Sequence, residues 1–206
     1  QDTVFSPGEA LSRDVIGRLL GERFDRIVTV EPHLHRTADL AAVFAPAAVT
    51  TLSASGLLAA AIGAQPPPLI VGPDIESEPW ARAVAEALGA PHVTMRKVRR
   101  GDRQVELSLD GGPNLAGRRV VLVDDICSSG GTLAAAVGLL AQRGAGPIEV
   151  AVVHALFDAE AGLGLARAGA VRVISTDACA HPTNAVPLAS LLASALIEET
   201  VPCPSS

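Results

Sequence analysis

A chain of 206 residues, 49% hydrophobic and 18% charged, is long enough to bury a full core and too apolar to be a disordered one. Its net charge of -6, with only 16 Lys and Arg, argues against wrapping nucleic acid, which needs a basic face to displace counterions, and points to small-molecule partners. Cys127, Cys179 and Cys203 show no C-x-x-C spacing and fit a reducing cytoplasm better than a disulfide framework or a zinc site. No apolar run reaches the roughly 18 residues of a membrane span.

In chain order, the first readable element is "SPGEALSRDVIGRLLGE" (6–22). Ser6 and Glu9 form a capping box there, Pro7 suits the first helical position, and Leu11, Val15, Ile16, Leu19 and Leu20 share one helix face. "RIVTV" (26–30) reads as a short apolar strand, and a helix is expected at 53–63. "AQPPPL" (64–69) reads as a linker, because its prolines can neither continue a helix nor pair in a central strand. Strands follow at "LIVG" (69–72), "VVLV" (120–123), "EVAVVHA" (149–155) and "VRVIS" (171–175), with helices at 78–89, 131–143, 158–168 and 186–198. Near-continuous apolar strands spaced by helices predict an α/β fold with a doubly wound parallel sheet covered on both faces.

In such a sheet, ligands bind beyond the carboxyl ends of the strands. The stretch "VVLVDDICSSGGT" (120–132) puts two like charges, Asp124 and Asp125, at that edge and then runs through Ser128, Ser129, Gly130, Gly131 and Thr132 into a helix. The helix N-terminus favours a phosphate, the glycines let the backbone close around it, and the hydroxyls add donors. The loop lacks the Gly-Lys-Ser/Thr ending of a P-loop and is not a G-x-G-x-x-G fingerprint. Cys127 reads as a small side chain packed behind it. His92, His154 and His181 read as structural. His33 and His35, two apart on an extended segment, have the spacing of a transition-metal pair. The one dense basic cluster is "RKVRRGDR" (96–103), whose plain alternative is a solvated hairpin tip.

The order apolar run, two acids, small and hydroxyl residues, Gly-Gly-Thr resembles the phosphoribosyl diphosphate (PRPP) binding motif of type I phosphoribosyltransferase-like proteins. Four further segments, in the right order, are similar to ribose-phosphate pyrophosphokinases (PRPP synthetases), in particular their shorter, archaeal-like branch. They are "QDTVFSPGE" (1–9), "VTVEPHLHRT" (28–37), "VGPDIESEPWARAVAEALGA" (71–90) and "TMRKVRRGDRQVE" (94–106).

The resemblance implies a type I phosphoribosyltransferase fold and transfer of the pyrophosphoryl group of ATP to the 1-hydroxyl of ribose 5-phosphate in a cytoplasmic homo-oligomer. It assigns Gln1, Asp2 and His33 to ATP, and His33 with Asp74 to Mg²⁺. Asp124 and Asp125 fall to the ribose hydroxyls, and Ser128 to Thr132 to the 5-phosphate. Asp74, Ile75, Glu76 and Ser77 form the pyrophosphate loop, and Lys97 and Arg99 are catalytic. His35 falls where that family varies.

Two departures stand out. Ile75, Glu76 and Ser77 follow Asp74 where the family usually has a glycine or other small residue, and Glu76 adds a charge that repels pyrophosphate unless Mg²⁺ intervenes or it points away. The chain also starts at Gln1, so residues 1–52 read as the final portion of a first, similar domain and 53–206 as the PRPP-binding domain, its last helix crossing back. Two other readings share the motif: a phosphoribosyltransferase that consumes PRPP, and a non-catalytic subunit associated with the synthetase.

Overall fold

The computed structural model describes residues 10–34, 39–100, 104–109 and 112–198, with the backbone alone at 97–100, 104–106 and 198. Two compact units are present, one built from the chain up to Ser53 together with the chain from Ala189 onward, the other from Ala54–Leu188. No helix among the described residues is long and apolar enough to cross a membrane.

The first unit opens with α1 (Ser12–Gly21), β1 (Arg26–Val30), α2 (Leu40–Phe44) and β2 (Ala48–Leu52). The capping box expected at Ser6 and Glu9 lies outside the described residues. β1 and β2 pair in parallel, Arg26 opposite Ala48 through Val30 opposite Leu52. The apolar face expected of α1 is not the face buried within this unit. Gly17 and Gly21 are its buried residues, because a Cβ at either would collide with the Val43 or Phe44 carbonyl of α2. Val15, Ile16 and Leu19 stay about half exposed. The last helix among the described residues, Ala189–Glu198, joins this unit where Arg26 Nη2 donates to the Ala195 carbonyl at 2.9 Å.

The second unit contains α3 (Ser55–Ile62), β3 (Leu69–Gly72), α4 (Glu78–Leu88) and β4 (His92–Thr94). A hairpin of β5 (Arg96–Arg100) and β6 (Gln104–Ser108) comes next, then β7 (Val120–Cys127) and α5 (Gly131–Gln142). β8 (Ile148–Ala155), α6 (Ala159–Ala168), β9 (Ala170–Thr176) and β10 (Asn184–Val186) complete it. Six strands form one parallel sheet in the order β10-β9-β8-β7-β3-β4. Leu69, Val71, Val120, Leu122 and Val150 put one side of its central strands into the core, against Leu133, Val137 and Leu140 of α5 and Leu165 of α6.

Three expectations need correcting. "AQPPPL" is not a linker between units: it turns the chain from α3 into β3 inside the second one, the helix having ended at Ile62 with Gly63 as its C-cap. The strand read as ending at Val123 continues to Cys127, so both acids belong to β7 itself. The final helix starts at Ala189 rather than 186, since Asn184–Val186 pairs as a strand with β9.

Arg119 pins the proline turn. Its guanidinium donates to the carbonyls of Ile62 (2.8 Å), Gly63 and Pro66 (both 3.1 Å) and, through Nε, to Glu149 Oε1 at 2.7 Å. Both side chains are about nine-tenths buried. Among the described residues, Glu149's other oxygen meets the half-exposed Arg172 at 3.4 Å. Arg119→Leu leaves a buried carboxylate and three carbonyls without their main donor, a loss of about 3 to 5 kcal/mol. Urea unfolding should show that loss in the midpoint with the slope unchanged.

Candidate functional site

β3 and β7 lie side by side, but their chains leave in opposite directions across the sheet, β3 through α4 to β4 and β7 through α5 to β8. A doubly wound sheet opens a crevice at the carboxyl ends of two such strands. Asp74, just beyond β3, lines it together with Asp124, Ile126 and Cys127 of β7 and Ser128, Ser129, Gly130, Gly131, Thr132 and Leu133. Most of the residues singled out around the PRPP-like loop therefore meet in one place.

The pleat of β7 separates the two acids. Asp124 is half-buried and faces the crevice, whereas the next side chain points to the opposite face of a strand, and Asp125 is 2% exposed and outside the crevice lining. The Asp125 N–H donates to Asp124 Oδ1 at 3.0 Å. Burial, followed by the charges of Asp125 and Asp74, pushes the Asp124 carboxyl up to about 8. Without a cation, it carries a proton at neutral pH.

Gly130 caps α5 with a left-handed φ of 72°, and no side chain caps that helix end. Its first-turn N–H groups are thus left to the crevice, the arrangement that holds anions. Behind the loop, Cys127 is buried in the core, and burial followed by the Asp124 charge pushes its thiol up to about 11. A thiol held protonated at neutral pH packs rather than reacts.

Gly131 makes a clean probe of the loop. A Cβ there would meet only Ser129 Oγ, at the ordinary contact distance of 3.7 Å, whereas at Gly130 a side chain would strain a positive φ. Gly131→Val should therefore stay folded yet raise the dissociation constant for ribose 5-phosphate by about tenfold or more, by crowding the anion. Calorimetry reads this directly, and an unchanged constant would count against a phosphate role.

The Asp74–Ser77 segment behaves differently from the Ser128–Thr132 loop. Asp74 Oδ1 accepts from the N–H groups of Glu76 (3.2 Å) and Ser77 (3.3 Å), while Ser77 Oγ lies 3.1 Å from the Asp74 nitrogen as acceptor. Two of the amides that could meet a diphosphate are engaged by the segment's own carboxylate. Gly72 is needed just before it, since a Cβ would come within 2.7 Å of Ser77 Oγ. Asp74, Ile75 and Glu76 line a second cavity with Arg96 of β5, about 360 Å³, at the lower end of the range for small-molecule sites. Sequence reasoning had left Arg96 unassigned within the basic cluster. Its place in the lining of that cavity distinguishes it.

Lys97 and Arg99 belong to β5, opposite Leu107 and Val105 of β6. The hairpin's roots are fixed: the Met95 N–H donates to the Gly72 carbonyl at 2.8 Å, and the Leu109 carbonyl accepts from Arg143 Nη1 at 3.0 Å. Met95 and Leu109 are both buried. In the first unit, His33 is exposed just past β1. Gln1, Asp2 and His35 lie outside the described residues. Among the described residues, no three His, Cys, Asp or Glu side chains converge as a metal cluster.

A family profile for the phosphoribosyl transferase domain matches residues 47–191. The ribose-phosphate pyrophosphokinase of Methanothermobacter thermautotrophicus is 35% identical over 194 residues, which cover 94% of this chain and 66% of that protein. The corresponding protein of Methanosarcina acetivorans is 31% identical over 198 residues, 95% of this chain and 68% of its own length. The solved phosphoribosylpyrophosphate synthetase of Mycobacterium smegmatis superimposes with a TM-score of 0.75 at 28% identity, covering 95% of this chain and 65% of that one. The chain thus spans about two thirds of the length of these relatives. With a six-stranded parallel sheet of the type I phosphoribosyltransferase kind and a profile match over most of its length, the chain belongs to the ribose-phosphate pyrophosphokinase family.

Proposed function

We propose that this protein transfers the β,γ-pyrophosphoryl group of ATP to ribose 5-phosphate, giving PRPP and AMP. The observation that carries the proposal is the meeting of an uncapped helix N-terminus with Asp74 and Asp124 at the switch point of the sheet. One side of that crevice suits a sugar phosphate and the other suits a phosphate chain with its counter-ion. The names of the relatives point to a ribose phosphate as acceptor and PRPP as product, and the sequence resemblance to ATP as donor.

In this reading the 5-phosphate lies against the Ser128–Thr132 loop. The ribose 2- and 3-hydroxyls donate to the acid pair, with Asp124 as the member facing the crevice. The 1-hydroxyl oxygen attacks the β-phosphorus of ATP, the bond from that phosphorus to the oxygen shared with the α-phosphate breaks, and AMP leaves as the hydroxyl proton passes to solvent. Such a reaction needs positioning and charge neutralisation more than covalent help from the protein. Lys97 offers a point charge and Arg99 a planar fork for the transferring group. Gln1, Asp2 and His33 are assigned to ATP.

Mg²⁺ fits the residues present. Two carboxylates share the crevice, and Asp124 is raised to about 8 partly by its acidic neighbours, so the pair is short of positive charge. Mg²⁺ typically takes one or two carboxylates and fills its shell with water and substrate oxygens, a demand that needs no three-ligand cluster. Asp74 and Asp124 would hold it. When bound, it would offset negative charge on the phosphates.

Two parallel assays separate this reading from consumption of PRPP. ATP with ribose 5-phosphate and Mg²⁺ should yield AMP, while PRPP with free bases should yield no pyrophosphate. Pyrophosphate release in the second assay alone would make the protein a phosphoribosyltransferase.

A further inference from the structure

The turn after β9 holds a polar knot that the proposed reaction does not use. The His181 N–H donates to Asn184 Oδ1 at 2.8 Å, and the Asn184 amide donates in turn to Ser175 Oγ at 3.0 Å. Ser175 Oγ and Thr183 Oγ1 are 2.8 Å apart. The His181 ring is held at both nitrogens. Nε2 lies 3.0 Å from the Phe157 carbonyl, and Nδ1 lies 2.7 Å from Thr183 Oγ1 and 3.2 Å from the Thr183 nitrogen. A carbonyl only accepts, so Nε2 carries the proton and Nδ1 is the acceptor for the Thr183 N–H. The ring also packs against Phe157, centroids 4.3 Å apart. Tautomer and orientation are both set.

Phe157 belongs to the segment that backs the phosphate loop. The N–H of its neighbour Leu156 donates to the Cys127 carbonyl at 2.9 Å, and Cys127 is the last residue of β7 before Ser128. On the other side, Asp158 caps α6 by accepting from the Ala161 N–H at 2.9 Å. Ala161 in turn lies against Gly130, where a Cβ would come within 3.3 Å of the Ala161 Cβ. The 156–161 segment thus touches the loop at its entry and at its left-handed glycine. His181 holds that segment from behind.

We infer that His181 is a positioning residue for sugar-phosphate binding, its Nε2–H fixing the Phe157 carbonyl so that the 156–161 segment keeps the Ser128–Thr132 loop in its anion-holding shape. The inference rests on the proposed role of that loop and assigns a residue two elements away to its support. Such supporting contacts commonly carry about 10- to 100-fold in affinity or activity where they orient a binding group.

The test is calorimetry of ribose 5-phosphate with Mg²⁺ on the wild-type protein, His181→Leu and His181→Gln, alongside thermal unfolding of each. The dissociation constant should rise about tenfold in His181→Leu and return to within about twofold of wild type in His181→Gln, whose amide can restore the donor to the Phe157 carbonyl. A His181→Leu protein that is folded but less stable and binds with wild-type affinity would overturn the inference, leaving His181 a packing residue only. Should His181→Leu fail to fold, His181→Phe keeps an aromatic ring against Phe157 but has no donor for its carbonyl, and an unchanged constant there would overturn it equally. Failure of the wild-type protein itself to bind ribose 5-phosphate would instead overturn the loop's role, and this inference with it.

Discussion

Replacing Lys97 or Arg99 with Ala is expected to lower kcat by about 10² to 10³ while KM moves little, the loss typical of one charge-assisted donor in a closed site. The pattern follows from where the charge develops. A group that binds substrate and transition state equally changes KM, whereas one that meets charge formed only during transfer changes kcat. The two residues occupy alternate positions of β5, on a hairpin whose roots are fixed by Met95 and Leu109. Arg100→Ala should do much less, because the resemblance gives it no role. Steady-state kinetics of the three variants decides the matter. Equal small losses at all three positions would mean that the cluster only attracts anions.

Asp124→Asn should act in opposite directions on activity and stability. Activity should fall by about 10²-fold, since in the proposed reading the group that meets sugar and cation loses its charge. Stability without divalent cation should rise, because the folded protein holds this carboxyl at about 8, well above its ordinary 3.8. Between those values the folded chain keeps a proton that the unfolded chain releases, so raising the pH favours unfolding until it passes the folded value. The wild-type protein should therefore lose stability from about pH 4 to about pH 8, and the Asn variant should lack that loss. Thermal unfolding in chelator at pH 5, 7 and 9 should show a gap that widens with pH, and adding Mg²⁺ with ribose 5-phosphate should narrow it by stabilising only the wild type. Identical unfolding at all three pH values would mean that Asp124 is not electrostatically strained.

The central strands were legible because burial on both faces leaves a continuous apolar run, as in Leu69 to Val71 and Val120 to Val123. β4 and β10, three residues each, and β2, "AVTTL", were not, since runs so short or so mixed give no period to follow. The Ser128–Thr132 loop was readable from its glycines, hydroxyls and position after a strand. Its partnership with Asp74 was not. That depends on β3 lying beside β7 with β4 on its far side, a strand order that spacing along the chain does not encode. The side-by-side acids read as lying at the sheet's edge, past "VVLV", until the strand proved to run through both. On α1 the apolar stripe misled in the same way, because close approach at Gly17 and Gly21 decided the buried face in that unit. His181 carried no signal at all: its partners Phe157 and Thr183 come from two different loops.

The most direct measurement is phosphorus magnetic resonance of the protein with ATP, ribose 5-phosphate and Mg²⁺. The expected spectrum shows AMP and a diphosphate attached to C1 of the ribose phosphate, growing in equal amounts as ATP declines, and no such growth when ribose 5-phosphate is left out. Formation of ADP in place of AMP, or an unchanged spectrum from a protein shown to bind both substrates, would contradict pyrophosphoryl transfer by this chain.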